Sequence, residues 1–398
     1  MKVLRLDVKG FRSLCDVSWE PGDLNVIIGP NGSGKTNLLM ALDLLSSSGR
    51  GSLGKRIQRD DGMKWLIWNC MAPRISFQLK TSPILPDGDV ECESLTYCLD
   101  LVPLETSKAY RIEHEALSSH YGTETDVDHF LKLLERTPDS AMVYDERKQG
   151  LVALERPVPE EETLLSLAAD PLSANRLLWA YQRQLASWQV YSPYFRLPRR
   201  LIAPQPDLTP TVAWVAPDSH NFVSVLYTLY TGNPDFKQAL DAALSAAFGD
   251  GFEELVFMPV NDRRIQLGVQ WKGLGRKLAG ESLSEGMLQF LFLITVLAHP
   301  DPPSLVAIDE PASALHLSVM PIVAEYAVEA ATRTQVILTT NSPGFLDAFS
   351  DSPPTTTVVK WEDGRTHLHV VPGETLRYWL KEYSLGKMYR SGELEQME

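Results

Sequence analysis

Eight consecutive residues, Gly29-Pro30-Asn31-Gly32-Ser33-Gly34-Lys35-Thr36, carry the plainest chemistry in this chain. They fill the spacing G-x-x-x-x-G-K-[ST] between the apolar run Leu24-Asn25-Val26-Ile27-Ile28 and the apolar-faced segment Asn37-Leu38-Leu39-Met40-Ala41-Leu42. Strand, loop and helix in that order is the setting in which such a loop binds phosphate. The glycines let backbone N–H groups converge on phosphate oxygens, and the helix start that follows favours negative charge. Lys35 reaches the β- and γ-phosphates and Thr36 offers a hydroxyl to Mg²⁺, so an ATP or GTP site is expected near the N-terminus.

A second constellation stands far downstream. Ser304-Leu305-Val306-Ala307-Ile308 reads as a buried strand ending in Asp309-Glu310-Pro311. At the end of such a strand Asp309 can hold Mg²⁺ through water, while Glu310 polarises a water for in-line attack on a γ-phosphate. Between the two lies Leu283-Ser284-Glu285-Gly286-Met287-Leu288-Gln289, followed by the apolar run Phe290-Leu291-Phe292-Leu293-Ile294. Ser284 beside Gly286 at a helix start is a second anion site, although Ser-x-Gly alone is more often only an N-cap. Its place upstream of the acid-bearing strand favours the anion role.

These motifs carry a resemblance. Leu283–Gln289 resembles the L-S-G-G-Q signature of ABC-type ATPases, with Glu285 and Met287 as variants, and Asp309-Glu310-Pro311-Ala312-Ser313-Ala314-Leu315-His316 is similar to their joined Walker B and D-loop. Within that class the chain resembles the RecF/SMC-like branch, and in particular the overcoming-lysogenization-defect (OLD) type and related AAA-named ATPases of bacteria and phage defence. The residues behind this are Phe11-Arg12-Ser13-Leu14, the histidine of Leu315-His316, Thr339-Thr340-Asn341-Ser342-Pro343, and the tail Tyr383-Ser384-Leu385-Gly386-Lys387-Met388-Tyr389-Arg390-Ser391-Gly392-Glu393-Leu394.

The resemblance implies Mg-ATP held by residues 29–37, Asn37 included, with Arg12 nearby, Thr36 and Asp309 on the metal, and Lys35, Glu310 and Asn341 in catalysis. It also implies a head-to-tail homodimer in which Ser284 and Gly286 cap the γ-phosphate bound by the opposite subunit. Most relatives place histidine where this chain has Asn341. A neutral, shorter amide there implies slow hydrolysis, unless Asn341 only closes a turn. For the glutamine that usually follows the first lobe, Gln58 and Gln78 are both candidates. No long heptad repeat is present, so a coiled-coil arm is not expected. The stretch after Ser342 is too short for the nuclease domain of OLD proteins, which implies an effector in another chain.

The elements that must position these residues read as an α/β chain: a P-loop fold of ABC ATPase type with a mixed β lobe, a parallel-sheet core and a helical insertion. Val3-Leu4-Arg5-Leu6-Asp7-Val8, Arg74–Leu79 and Thr96–Val102 have strand patterns, and Ala298–Val371 alternates apolar strands with helices. Asp126–Leu134 and Pro159–Trp188 read as helical, so residues 115–199 are expected to be a mostly helical insertion splitting an ATPase domain of residues 1–114 and 200–398.

At 398 residues, 44% hydrophobic and 22% charged, the chain is expected to be an ordinary globular protein. The first apolar stretch is broken by Arg5 and Asp7, and Phe290–Ala298 is too short to cross a bilayer, so no membrane partner is expected. Cys15, Cys70, Cys92 and Cys98 lack metal-ligand spacing and suit a reducing cytosol, hence a cytoplasmic protein. The eight histidines form no ligand cluster either.

A net charge of −14 leaves nucleic acid to a local basic patch or to a partner. Arg196, Arg199 and Arg200 beside Tyr191, Tyr194 and Phe195 are one such patch, and Arg263, Arg264, Lys272, Arg276 and Lys277 another, unless both simply pair with local carboxylates. Trp65 and Trp68 read as packing residues or the edge of an interface.

Overall fold

A computed structural model describes residues 1–70, 72–84, 92–104, 109–121, 129–154, 157–168, 175–191, 214–260, 264–394 and 396. Two compact units result: Met1–Gly22, Ile28–Val190 and Thr357–Val370 form the first, and Asp23–Ile27, Tyr191–Thr356 and Val371–Glu398 the second.

The first unit opens with strands β1 (Val3–Phe11) and β2 (Leu14–Trp19), before β3 (Leu24–Ile28), most of which belongs to the second unit. It continues through helices α1 (Lys35–Gly49), α2 (Leu53–Arg59) and α3 (Met63–Leu66) to strands β4 (Ile75–Thr81), β5 (Ser94–Pro103), β6 (Tyr110–Tyr121), β7 (His129–Thr137), β8 (Ser140–Asp145) and β9 (Gly150–Ala153). Eight of these strands form one antiparallel sheet in the order β2-β1-β4-β5-β6-β7-β8-β9. Register follows burial. Leu6 and Val8 lie opposite Leu79 and Phe77, all four buried, while Arg5 and Lys9 on either side of them face water.

Helices α4 (Leu164–Ala168) and α5 (Arg176–Ser187) and strand β10 (Gln189–Tyr191) follow. The α5 side chain of Gln182 donates to Gly49 O at the end of α1 (2.6 Å), which ties the two helices together. Glu115 of β6 is wholly buried and accepts N–H bonds from Leu164 (2.6 Å) and Leu165 (2.9 Å) and the hydroxyl of Tyr97 (3.0 Å). It thereby caps α4 from across the sheet. Burial pushes its carboxyl above the ordinary value despite these three donors.

The helical insertion expected over 115–199 is not what the chain forms. Among its described residues β6 to β9 extend the antiparallel sheet, and only α4 and α5 are helices. Of the stretch read as a helix, Asp126–Leu134, the described residues from His129 onward lie in β7. Its register against β6 slips between Leu117 and Ser118, so that Leu133 is an extra residue and Leu133 and Leu134 are both buried. A bulge of this kind breaks the period of two and leaves Phe130, Leu131, Leu133 and Leu134 with the spacing of a helix face.

The second unit contains α6 (Phe222–Gly232), α7 (Pro234–Phe248), a small antiparallel sheet of β11 (Phe252–Val260), β12 (Arg264–Trp271) and β13 (Leu278–Ala279), and then α8 (Glu285–Leu297). Residues Phe290 to Ile294 of α8 are buried on every side, as a helix without a polar face must be. Phe292 meets Tyr191 edge-on at 5.1 Å and Phe290 meets Phe248 at 5.6 Å. Beyond it, β14 (Leu305–Ile308), α9 (Met320–Ala330) and β15 (Gln335–Thr340) make a crossover whose two strands run parallel with Ile308 opposite Leu338.

β3 is the next neighbour of β15, joined by the Val336 N–H to Asp23 O (2.8 Å) and by the Asn25 amide to Val336 O (3.1 Å). Every residue of β14 and β15 is buried, the pattern of a strand covered on both faces. Then come α10 (Pro343–Asp347), the hairpin β16 (Thr355–Glu362) and β17 (Arg365–Val370), most of which returns to the first unit, and helices α11 (Gly373–Trp379) and α12 (Leu385–Ser391).

Candidate nucleotide-binding elements

The phosphate loop leaves β3 at Ile28 and enters α1 at Lys35, as the sequence predicts. Gly29, Gly32 and Gly34 have φ of +148°, +82° and +112°, conformations that a side chain would strain. Gly34 is doubly constrained, because a Cβ there would overlap the Thr366 hydroxyl and lie 2.9 Å from Ser13 Oγ. The Lys35 ammonium, 5% exposed, donates to Gly29 O (2.7 Å) and Pro30 O (3.2 Å) and so sits over the loop it must serve. Thr36 and Asn37 are half-buried, and Asn31 and Gly32 are exposed.

One residue that no sequence motif singled out helps to build this cradle. Thr366 of β17 lies 2.8 Å from Ser33 O and 2.7 Å from Ser13 Oγ, and the Asn37 amide donates to the same Ser13 Oγ (2.7 Å). Trp68 donates to Gly364 O (3.2 Å), fastening the hairpin tip, and Arg365 lies over its ring. The Ser33 hydroxyl is buried with no hydrogen-bond partner among the described residues. An orphaned hydroxyl in a loop of positive-φ glycines, at a helix start with a buried ammonium, fits a polyphosphate.

In the second unit the acid pair stands at the end of β14. Asp309, 5% exposed, accepts a hydrogen bond from the Thr339 hydroxyl of β15. The same hydroxyl accepts the N–H of Glu310 (2.9 Å). Glu310 has φ +49°, a left-handed conformation that breaks the extended backbone run of β14. Its Oε2 accepts the backbone N–H of Asn341 (3.2 Å), the first residue after β15. Glu310 and Asn341 are thus brought together, each half-buried.

Ser284 caps α8 by accepting the Met287 N–H (3.2 Å) and is exposed. A Cβ on Gly286 would lie 2.8 Å from Ala314 O, so glycine at that position lets the turn after Glu310 pack against the start of α8. His316 accepts the Ser318 N–H (3.3 Å) and caps a short 3₁₀ turn that leads into α9.

Other expected residues divide clearly. Arg12, with φ +48°, pairs with Asp60 at 3.3 Å, and Asp60 also pairs with Arg56. Gln58 is exposed on α2 and Gln78 exposed in β4. Tyr191 is no part of a stacking surface: it is buried, with its hydroxyl on Val215 O (2.8 Å). Arg196, Arg199, Arg200, Tyr194, Phe195 and Arg263 lie outside the described residues, whereas Lys272, Arg276 and Lys277 are exposed. Trp65 does not pack, being 63% exposed. No helix among the described residues is long and apolar enough to cross a membrane.

A family described as "AAA ATPase domain" matches residues 1–113, and one described as "AAA domain, putative AbiEii toxin, Type IV TA system" matches residues 183–347. A stretch of 41 residues is 54% identical to the OLD nuclease of Thermus scotoductus, covering 10% of this chain and 8% of that protein. Another of 65 residues is 46% identical to the DNA replication and repair protein RecF of Aliivibrio fischeri, covering 15% and 18%. The chain therefore matches well under two thirds of either relative's length.

In solved structures it resembles an SMC head bound to the C-terminal winged-helix domain of ScpA, with TM-score 0.57 and 12% identity over 95% of this chain and 100% of the other. A Pyrococcus furiosus SMC head with an extended coiled coil, bound to the C-terminal domain of ScpA, gives 0.52 and 14% over 96% and 99%.

Proposed function

We propose that this chain, which belongs with the ABC-type ATPases of the RecF/SMC-like branch, binds Mg-ATP, hydrolyses it slowly and uses it to close a head-to-tail homodimer. The observation that carries the reading is the acid pair, in which one buried threonine fixes the Asp309 carboxylate and the Glu310 backbone while Asn341 holds the Glu310 carboxylate. Carboxylates fixed in this way at strand ends suit a water-activating base with a metal ligand beside it.

In this reading the N–H groups of residues 29–36 and the Lys35 ammonium hold the phosphates, and Glu310 polarises the attacking water. Thr36 and Asp309 would hold Mg²⁺, which when bound neutralises charge between the phosphate oxygens. Asn341 donates toward the γ-phosphate or the water. Ser284 and Gly286 serve the nucleotide of the second copy, a role that rests on the family resemblance. The same resemblance supports a place in phage or genome defence, with the effector in another chain. Contact with nucleic acid would run through that partner or a local basic patch.

The test measures ATP turnover, ATP binding and mass in solution for wild type, Lys35→Ala and Glu310→Gln. Wild type should turn over slowly, Lys35→Ala should lose binding, and Glu310→Gln should bind ATP, accumulate as a dimer and lose roughly a hundredfold or more in turnover. Equal turnover in wild type and Glu310→Gln removes Glu310 from catalysis. Salt-sensitive DNA binding by the isolated protein would favour a RecF-like clamp, and ATP binding without turnover a nucleotide-sensing scaffold.

A further inference from the structure

Helix α12 in the tail docks on the turn that carries Asn341. The Gly386 N–H donates to Asp347 Oδ1 (2.8 Å), and Arg390 reaches the other oxygen of the same carboxylate (3.3 Å). Asp347 ends α10, the helix that begins two residues after Asn341 and is capped by Ser342. The docking is close: a Cβ on Gly386 would overlap Pro343 O and lie 2.6 Å from Asp347 Oδ1. From this seated helix the half-buried Tyr389 hydroxyl contacts Asn341 Oδ1 at 3.5 Å.

We propose that Tyr389 is a positioning residue that fixes the carboxamide of Asn341, making turnover at Glu310 depend on the seating of the C-terminal helix. A carboxamide has an acceptor end and a donor end, and only the donor end can serve a phosphate oxygen or the lone pair of a water. A phenol that donates to Oδ1 selects the rotamer in which the two Nδ2 hydrogens face away from the tail. Without it the amide loses a donor that marks its oxygen end, and the balance moves toward the flipped arrangement that presents oxygen where a donor is needed. Histidine at this position would need no such selection to donate once protonated, so the substitution of asparagine is what gives the tyrosine its task. The contact is at the long end of the hydrogen-bond range, so a small movement of α12 breaks or tightens it. Whatever binds the tail can therefore set the rate without touching nucleotide.

This inference rests on the ATPase reading, and one of its measurements is independent of that reading. In nucleotide-free protein labelled with ¹⁵N-asparagine, Tyr389→Phe should shift the side-chain NH₂ pair of Asn341, assigned by its loss in Asn341→Ala. The same variant, which keeps the ring and the Gly386–Asp347 bond, should lose roughly tenfold in kcat with KM for ATP within about twofold of wild type. In an Asn341→Ala background it should cost nothing more. An unshifted NH₂ pair overturns the positioning role whether or not the protein hydrolyses ATP. An equal loss in the Asn341→Ala background, or a shift without loss of turnover in an active wild type, overturns the dependence on the tail. A shift in a protein that shows no turnover keeps the positioning role and refutes the ATPase reading instead.

Discussion

At Thr339 a single hydroxyl serves both acids, donating to the Asp309 carboxylate and accepting the Glu310 N–H. Valine has the same shape without those bonds, so Thr339→Val should cost about 1–3 kcal/mol of stability and lower turnover, while Thr339→Ser should restore much of both. Urea unfolding with ATPase rates checks this, and an unchanged Thr339→Val would make the hydroxyl incidental. Asn341 is the neighbouring departure from the usual histidine. Asn341→His should raise kcat about tenfold, or ~1.4 kcal/mol in the barrier, with ATP affinity little changed. A histidine variant that binds ATP normally and hydrolyses it no faster would mean that the asparagine does not limit the rate.

At the scale of elements, strand ends do the placing. Asp309 follows β14, Asn341 follows β15, and the phosphate loop follows β3, three successive neighbours in one sheet. Ligand-binding residues collect at such ends because the strands are held rigidly while the loops beyond them are free to specialise. In the first unit Glu115 does comparable work for α4, at an electrostatic cost. Its carboxyl is raised by burial, so the folded state binds more protons than the unfolded one between the ordinary glutamate value and the raised value. Stability should therefore fall as pH rises through that window and level off above it. Glu115→Gln, less stable at low pH for want of a second oxygen acceptor, should lack that decline, as urea unfolding at about pH 5 and about pH 8 would show. Parallel pH slopes would mean that Glu115 ionises normally.

At the scale of the molecule, the proposed head-to-tail arrangement makes a prediction that no folded monomer would share. Lys35→Ala disables the phosphate-loop half of a composite site, and Ser284→Arg places a cation and bulk at the start of α8, where Ser284 is exposed. Each variant alone should be inactive, and a mixture should regain part of the activity through the one site that pairs an intact Lys35 with an intact Ser284. Wild-type turnover in Ser284→Arg, with no ATP-dependent dimer in solution, would reduce Ser284 to a helix cap.

What the sequence determined by itself is local. The phosphate loop, the strand before Asp309, the Ser284 cap and the turn at Asn341 are each written in a few adjacent residues, because backbone conformation, capping and short apolar runs are decided within one or two turns of chain. Tertiary structure alone decided what lies far apart in sequence. Thr366 reaches Ser13 across 353 positions, and Thr339 reaches Asp309 across 30, contacts without any spacing signature. The first lobe shows the same limit from the other side. Leu133 and Leu134 read as a helix face until β6 supplies a partner strand and a bulge absorbs the extra residue. Local pattern cannot reveal that outcome, because the free energy that favours the strand resides in a ladder with another segment of the chain.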